Sequence, residues 1–278
     1  LRRLINTKVE KIAFLEGHGE LNEEETLDIS QSLSRYYQID RGTIGTDPAV
    51  LNDYKAVIIA KPTQPFSEKD KFVIDQYIMR GGRVLWLVDG VRVSPESLST
   101  GGFTPAVELD LNLSDMLFRY GVRISPVLVE DVQSVLIPVN VAAKGEKPQF
   151  QPTPWVYAPL LLTSGDHPVT RNLAPVKANF ASAIEMVGDD KNPERTFLLA
   201  SSDNTHILQT PAEISLAAMP DLTDKNYFNR SYVPVGVVLE GEFQSDFTNR
   251  LPPEEIVNPS AIQTKSVPGR QIMIADGD

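Results

Sequence analysis

The chain contains no cysteine. Disulfides, thiolate nucleophiles and cysteine-ligated zinc or iron–sulfur centres are therefore excluded. The compartment stays open, because a thiol-free chain tolerates either redox environment. Positive charge is scarce. Lys and Arg number 26 against 37 Asp and Glu, for a formal net charge of -11. No Lys/Arg run interrupts this balance, so nucleic acid is not an expected partner. Long apolar runs are also missing: nothing approaches the roughly 18–20 residues that span a bilayer. There is no G-x-G-x-x-G, no Walker A sequence and no G-x-S-x-G elbow, so neither a nucleotide cofactor nor a serine-elbow hydrolase is expected. The only histidines are His18, His167 and His206, without short ligand spacing, which argues against zinc. Carboxylate sites for Mg²⁺ or Ca²⁺ stay open, although the acidic clusters "DLTD" and "DGD" read equally well as solvated loops.

What the sequence does have is a set of short, continuously apolar runs. Hydrophobic residues make up 41% of 278 positions, enough for a sizeable core. Residues 8–15 read as a buried strand broken by Gly17 and Gly19. Asn22 can cap a helix with Glu25 as its capping-box partner, and Leu27, Leu33, Tyr36 and Tyr37 give that helix an apolar face. Residues 38–44 and 53–60 read as strands. Ser67 caps a second helix with Asp70 at its third position. Phe72, Val73, Tyr77 and Ile78 form its core side, and Gly81-Gly82 stops it. Residues 83–88 are the next strand, ending at Asp89-Gly90. Runs that are apolar throughout, not alternating, indicate a parallel sheet covered on both faces.

The expected fold is therefore a single α/β domain over 1–278, with a mostly parallel central sheet and helices on both faces. Residues 91–105, rich in Ser, Gly and Pro, read as an exposed loop. Residues 112–120 read as a short helix closed by Gly121. Strand candidates follow at 127–132, 135–141, 195–201, 232–240 and 270–275. The proline-dense stretch 145–159 reads as an insertion or flap, spanning approximately 133–165. The chain starts Leu1-Arg2-Arg3 without Met and stops at Asp276-Gly277-Asp278 directly after an apolar run. Both ends suggest a piece of a longer, membrane-anchored protein.

In open α/β sheets, ligands sit beyond the carboxyl ends of the strands. Three loops fall there: Gly17-His18-Gly19-Glu20, residues 62–66, and Asp89-Gly90. They nominate Gly17, His18, Gly19, Glu20, Asp89 and Gly90 as ligand- or partner-binding candidates. If His18, Glu20 and Asp89 meet, His18 could act as a general base oriented by a carboxylate. The competing reading makes the same loop a strand-to-helix turn with a packed His18. Glu20, Glu23, Glu24 and Glu25 crowd the adjoining helix start and would repel phosphate. Ser201 and Ser202 read as turn residues. Phe243 and Phe247 read as core, with a partner contact as the alternative.

Five stretches in order carry a resemblance: "KIAFLEGHGE", "YGVRISPVLVEDVQ", "DHPVTRNLAPVKANFASAIE", "VPVGVVLEGEFQSDFTNR" and "GRQIMIADGD". Together they resemble the GldG family, the gliding-motility-associated auxiliary component of an ABC transporter. The resemblance implies a fold similar to the class I glutamine-amidotransferase-like, ThuA-like and flavodoxin-like group, where His167-Pro168-Val169-Thr170 matches a recurring segment. A related domain in an intraflagellar transport protein is not thought to be an enzyme. Amidotransferase chemistry needs a cysteine that this chain lacks. The resemblance thus implies a non-enzymatic, extracytoplasmic (periplasmic) domain without a cofactor. Its partners would be the permease and ATPase subunits and envelope proteins, with a glycan or small ligand also possible. It would be anchored by membrane segments outside this chain. Two alternatives are a hydrolase or carbohydrate-modifying enzyme using His18, and a solute-binding protein of the transporter.

Overall fold

The computed structural model describes residues 9–140, 142, 145–188, 193–257 and 262–278. The first expected strand is β1 (Lys11–Glu16). It is followed by α1 (Leu27–Ser34), β2 (Gln38–Thr43), β3 (Tyr54–Ala60), α2 (Glu68–Met79) and β4 (Val84–Leu87). β1 lies between β2 and β3, and β3 between β1 and β4, all parallel. The continuous apolar runs are explained by burial on both faces. Ala13, Leu15, Val57, Ile59, Val84 and Trp86 face one core together with the α2 residues Phe72, Val73, Ile74, Tyr77 and Ile78. Ile12, Phe14, Ile58 and Ala60 face the opposite way, against Leu33 of α1 and Tyr37.

The hydrogen bonds of both sequence-read caps form, but only Ser67 caps a helix; those of Asn22 close a turn ahead of α1, whose N-cap position is Thr26. Asn22 Oδ1 accepts from the Glu24 and Glu25 N–H groups, and Glu25 Oε2 accepts from Asn22 N–H at 2.8 Å. The regular helix starts later, at Leu27, and Leu27 and Tyr36 stay exposed. Ser67 Oγ accepts from Asp70 N–H. α2 buries every residue from Lys71 to Met79, polar ones included. Asp75, fully buried, accepts from Tyr120 Oη, Ser245 Oγ, Asp246 N–H and Gln76 Nε2.

Residues 91–105 are not the expected loop. They form β5 (Val91–Arg92), α3 (Pro95–Gly101) and the start of β6 (Phe103–Glu108). The Ser, Pro and Gly that suggested a loop are helix punctuation: Ser94 caps, Pro95 opens the helix, and left-handed Gly102 closes it. Next come α4 (Ser114–Tyr120), ended by left-handed Gly121, then β7 (Val122–Ser125) and β8 (Val127–Asp131). β9 (Ser134–Asn140) pairs antiparallel with β10 (Phe150–Thr163), which takes in part of the proline-dense stretch. Val141, Ala143 and Lys144 of that stretch lie outside the described residues.

The remaining strands are β11 (Val176–Lys177), β12 (Ala183–Met186), β13 (Glu194–Ala200), β14 (Thr205–Gln209), β15 (Ala212–Ser215), β16 (Pro234–Gly241) and β17 (Gly269–Ile274). Among the described residues there are four helices, and the main sheet runs β11-β10-β13-β16-β17-β4-β3-β1-β2, with β9 beside β10. The expectation of a mostly parallel sheet is corrected here. β17 lies parallel to β4, but β16, β13, β10 and β11 continue antiparallel. The sheet is mixed. The fully buried run Val235, Val237, Val238 and Leu239 has the look of a parallel strand. Continuous apolarity reports burial on two faces, not direction. Gln271, fully buried on β17, holds the junction by accepting from Trp86 Nε1 at 3.3 Å and donating to the Gly82 carbonyl at 3.1 Å. A third cluster, around Leu128, Trp155, Tyr157, Ile214 and Phe228, joins the smaller β5–β6–β15 and β8–β14 sheets.

Candidate functional site

β1, β3, β4 and β17 run parallel, so their carboxyl ends share one edge. The first loop there turns on Gly17 (φ 118°) and Gly19 (φ 72°), conformations that favour glycine. A Cβ on Gly19 would lie 2.1 Å from Thr63 Oγ1. The His18 carbonyl accepts from the N–H groups of Thr63 and Gln64, both at 2.8 Å, which stitches the β1 loop to the β3 loop.

The His18 side chain is enclosed, at 5% exposure. Its Nδ1 lies 3.0 Å from Glu20 Oε1 and its Nε2 lies 3.1 Å from Asp70 Oδ2. Its ring stacks on Phe66 at 3.7 Å between centroids. Burial by itself would lower the imidazole pKa. The hydrogen bonds and charges of Asp70 and Glu20 outweigh it and raise the pKa to about 9. Burial would likewise raise Asp70, but bonds from His18, Lys69 and Ser67 lower it to about 2. At neutral pH the ring is a cation between two carboxylates. A general base must be free of its proton, so this geometry does not suit His18 to that task.

Asp89 does not join His18 and Glu20. β3 stands between β4 and β1, and Asp89 turns to β17 instead. Asp89 Oδ1 accepts from Gly277 N–H at 2.7 Å, and Asp276 Oδ2 accepts from Asn179 N–H at 3.0 Å. Lys61 Nζ pairs with Asp278. The backbones touch here: a Cβ on Gly277 would lie 3.0 Å from Lys61 Cα. Burial raises Asp89 to about 6, against the pull of Gly277 N–H and Lys61. Burial, reinforced by the Asp89 charge, raises Asp276 to about 7. Asp89 and Gly90 also line a small pocket of about 160 Å³ with Glu108, Leu109, Ser114 and Arg123. That is below the few hundred Å³ typical of a small-molecule site.

The other sequence candidates are structural. Ser202 Oγ donates to Asp131 Oδ1 at 2.7 Å inside a buried network with Ser201 and Thr205. His206 stacks on Tyr227, and His167 Nδ1 accepts from Val169 N–H. Phe243 and Phe247 are core, edge-on to Tyr120 and Phe72. Among the described residues no group of three or more His, Asp or Glu side chains is arranged to hold a metal ion, and no helix is long and apolar enough to cross a membrane. Sequence reasoning missed Asp70 as a partner of His18, and Lys61 and Asp276 as neighbours of Asp89. Asp70 was visible only as a capping residue. Asp276 needed the pairing of β17 with β4.

The family model described as "ABC-type uncharacterized transport system" matches residues 10–278. No curated protein matches the sequence. Among solved structures, the mmIFT52 N-terminal domain superposes with a TM-score of 0.53 at 13% identity, covering 96% of this chain and 86% of that one. At that identity the likeness concerns the fold alone.

Proposed function

This chain belongs to the ABC-type uncharacterized transport system family, and from that premise we propose that it is a non-enzymatic recognition domain of an ABC transporter auxiliary protein. In this reading it faces the extracytoplasmic side and is anchored by membrane segments outside the chain. It contacts the permease, the ATPase or an envelope protein through the strand-end edge. Gliding motility or secretion is the process we assign to it, from the resemblance to GldG. An amidotransferase-like ancestry of the parallel half is part of the same reading.

One observation carries the proposal. The edge positions its loops through internal bonds that occupy its chemically active groups. His18 is clamped by Glu20 and Asp70, and Lys61 by Asp278. What faces outward is the exposed Thr63-Gln64-Pro65 turn, stitched to the His18 loop. Such a surface suits recognition better than reaction. Affinity purification of the full-length protein from its native membrane tests it: permease and ATPase subunits should co-purify in stable proportion. Their absence under mild detergent contradicts the proposal.

A second reading draws on Asp89 and Asp276. Carboxylates with raised pKa values cluster at sites of acid–base chemistry. A hydrolase acting on a glycan would use them rather than His18. Turnover of a glycan substrate, lost in Asp89→Asn, would favour it.

A further inference from the structure

On the β-rich side of the molecule lies a separate concavity of about 310 Å³ that the strand-end edge does not use. Its wall is apolar: Leu98 of α3, Val135 and Ile137 of β9, Trp155 of β10, then Phe180 and Leu216. α3, the paired strands β9 and β10, and the segments carrying Phe180 and Leu216 converge here. Trp155 forms its floor at 6% exposure. The space equals that of roughly ten waters. An open, largely apolar hollow of this size, lined by Trp155 and Phe180, fits the lower range of small-molecule sites.

The hollow also carries polar groups in its lining, Ser99 of α3 among them. Lys177 and Asn179 both line it. Lys177 is exposed, and neither its ammonium nor the Asn179 side-chain amide bonds to any other described residue. A cation and an amide donor at the rim of an apolar hollow stand out in a chain of net charge -11. The combination complements a ligand with an apolar body and a single carboxylate. The body displaces water from Trp155 and Phe180, and the head meets Lys177 and Asn179.

We propose that this pocket is a binding site for a small organic carboxylate with an aromatic or short acyl body. Asn179 also links it to the edge, because its backbone N–H is held by Asp276. The site is independent of the partner-recognition reading, and each can fail without the other.

The test uses 3-phenylpropionate and its neutral amide as probes, measured by calorimetry and by tryptophan emission. Trp155 would report occupancy, while the other tryptophan, Trp86, is fully buried in the opposite core. Saturable 1:1 binding of the carboxylate is expected, with a Kd on the order of 1 mM for so small a ligand. Lys177→Met, an exposed change that leaves the fold intact, should weaken the carboxylate roughly two- to fivefold and leave the amide unchanged, as expected for an exposed charge pair. Val135→Phe, which fills the hollow, should abolish binding of both at unchanged melting temperature. Failure of the carboxylate to saturate, equal affinity for the amide and the acid, or full binding by Val135→Phe each overturns the proposal.

Discussion

His18 Nε2 lies 3.1 Å from Asp70 Oδ2 across 52 residues of sequence, joining the turn after β1 to the first turn of α2. Asp70 already serves the helix as the capped third residue, its N–H given to Ser67 Oγ. Its carboxylate also accepts from Ser67 Oγ at 2.7 Å, so one residue ties the helix start, through His18, to the loop that shapes the strand-end edge.

That pair sets a pH window. His18 is raised from 6.5 to about 9, so its contribution is complete below 6.5 and fades as pH rises through about 9. Asp70 is lowered from 3.8 to about 2, so its contribution is complete above 3.8 and fades as pH falls through about 2. The stability difference between wild type and His18→Gln should be widest between these limits and shrink toward pH 9. Urea unfolding midpoints from pH 4 to pH 10 measure it. A difference that is flat across the alkaline range contradicts the assignment.

Asp75 predicts a larger, structural effect. It accepts from Tyr120, Ser245, Asp246 and Gln76 in a site with no exposure. Asp75→Ala strands those buried donors and should cost about 3 kcal/mol of stability. Equilibrium denaturation gives the value. A loss near zero would mean that α2 does not depend on this network.

Asp89 and Asp276 share the pH sign of His18 and oppose that of Asp70. Both are raised from 3.8, to about 6 and about 7, mainly by burial. A raised carboxylate favours the folded state below 3.8 and loses that advantage as pH rises through its folded value. Asp276→Asn keeps an acceptor for Asn179 N–H but removes the buried charge. It should be more stable than wild type at pH 8, and the gain should vanish toward pH 4. Thermal melts at the two pH values decide it. A variant that is less stable at pH 8 would show that the charge is compensated.

Much of this was legible along the chain, residue by residue. The Ser67 cap is a local rule and formed as read, whereas the Asn22–Glu25 bonds formed around a turn that precedes α1. The runs in β1, β3 and β4 gave strands because both their faces are buried. The direction of β16 was not legible, since a valine run is the same text whichever way its neighbour points. Ser94-Pro95 and Gly102 were misread because loop residues and cap residues are the same types. The site divided the same way. His18 and Glu20 are two residues apart, so their meeting followed from the turn. Asp70 and Asp276 reach their partners only through strand order, which no local pattern encodes.

The central claim is that the strand-end edge recognises a transporter partner. The most direct measurement places Gln64→Trp, on the exposed turn beside Gly19, in the full-length protein and quantifies permease and ATPase recovered with it from native membranes. The account predicts that recovery collapses while the melting temperature stays at the wild-type value. Undiminished recovery from the folded variant would contradict it.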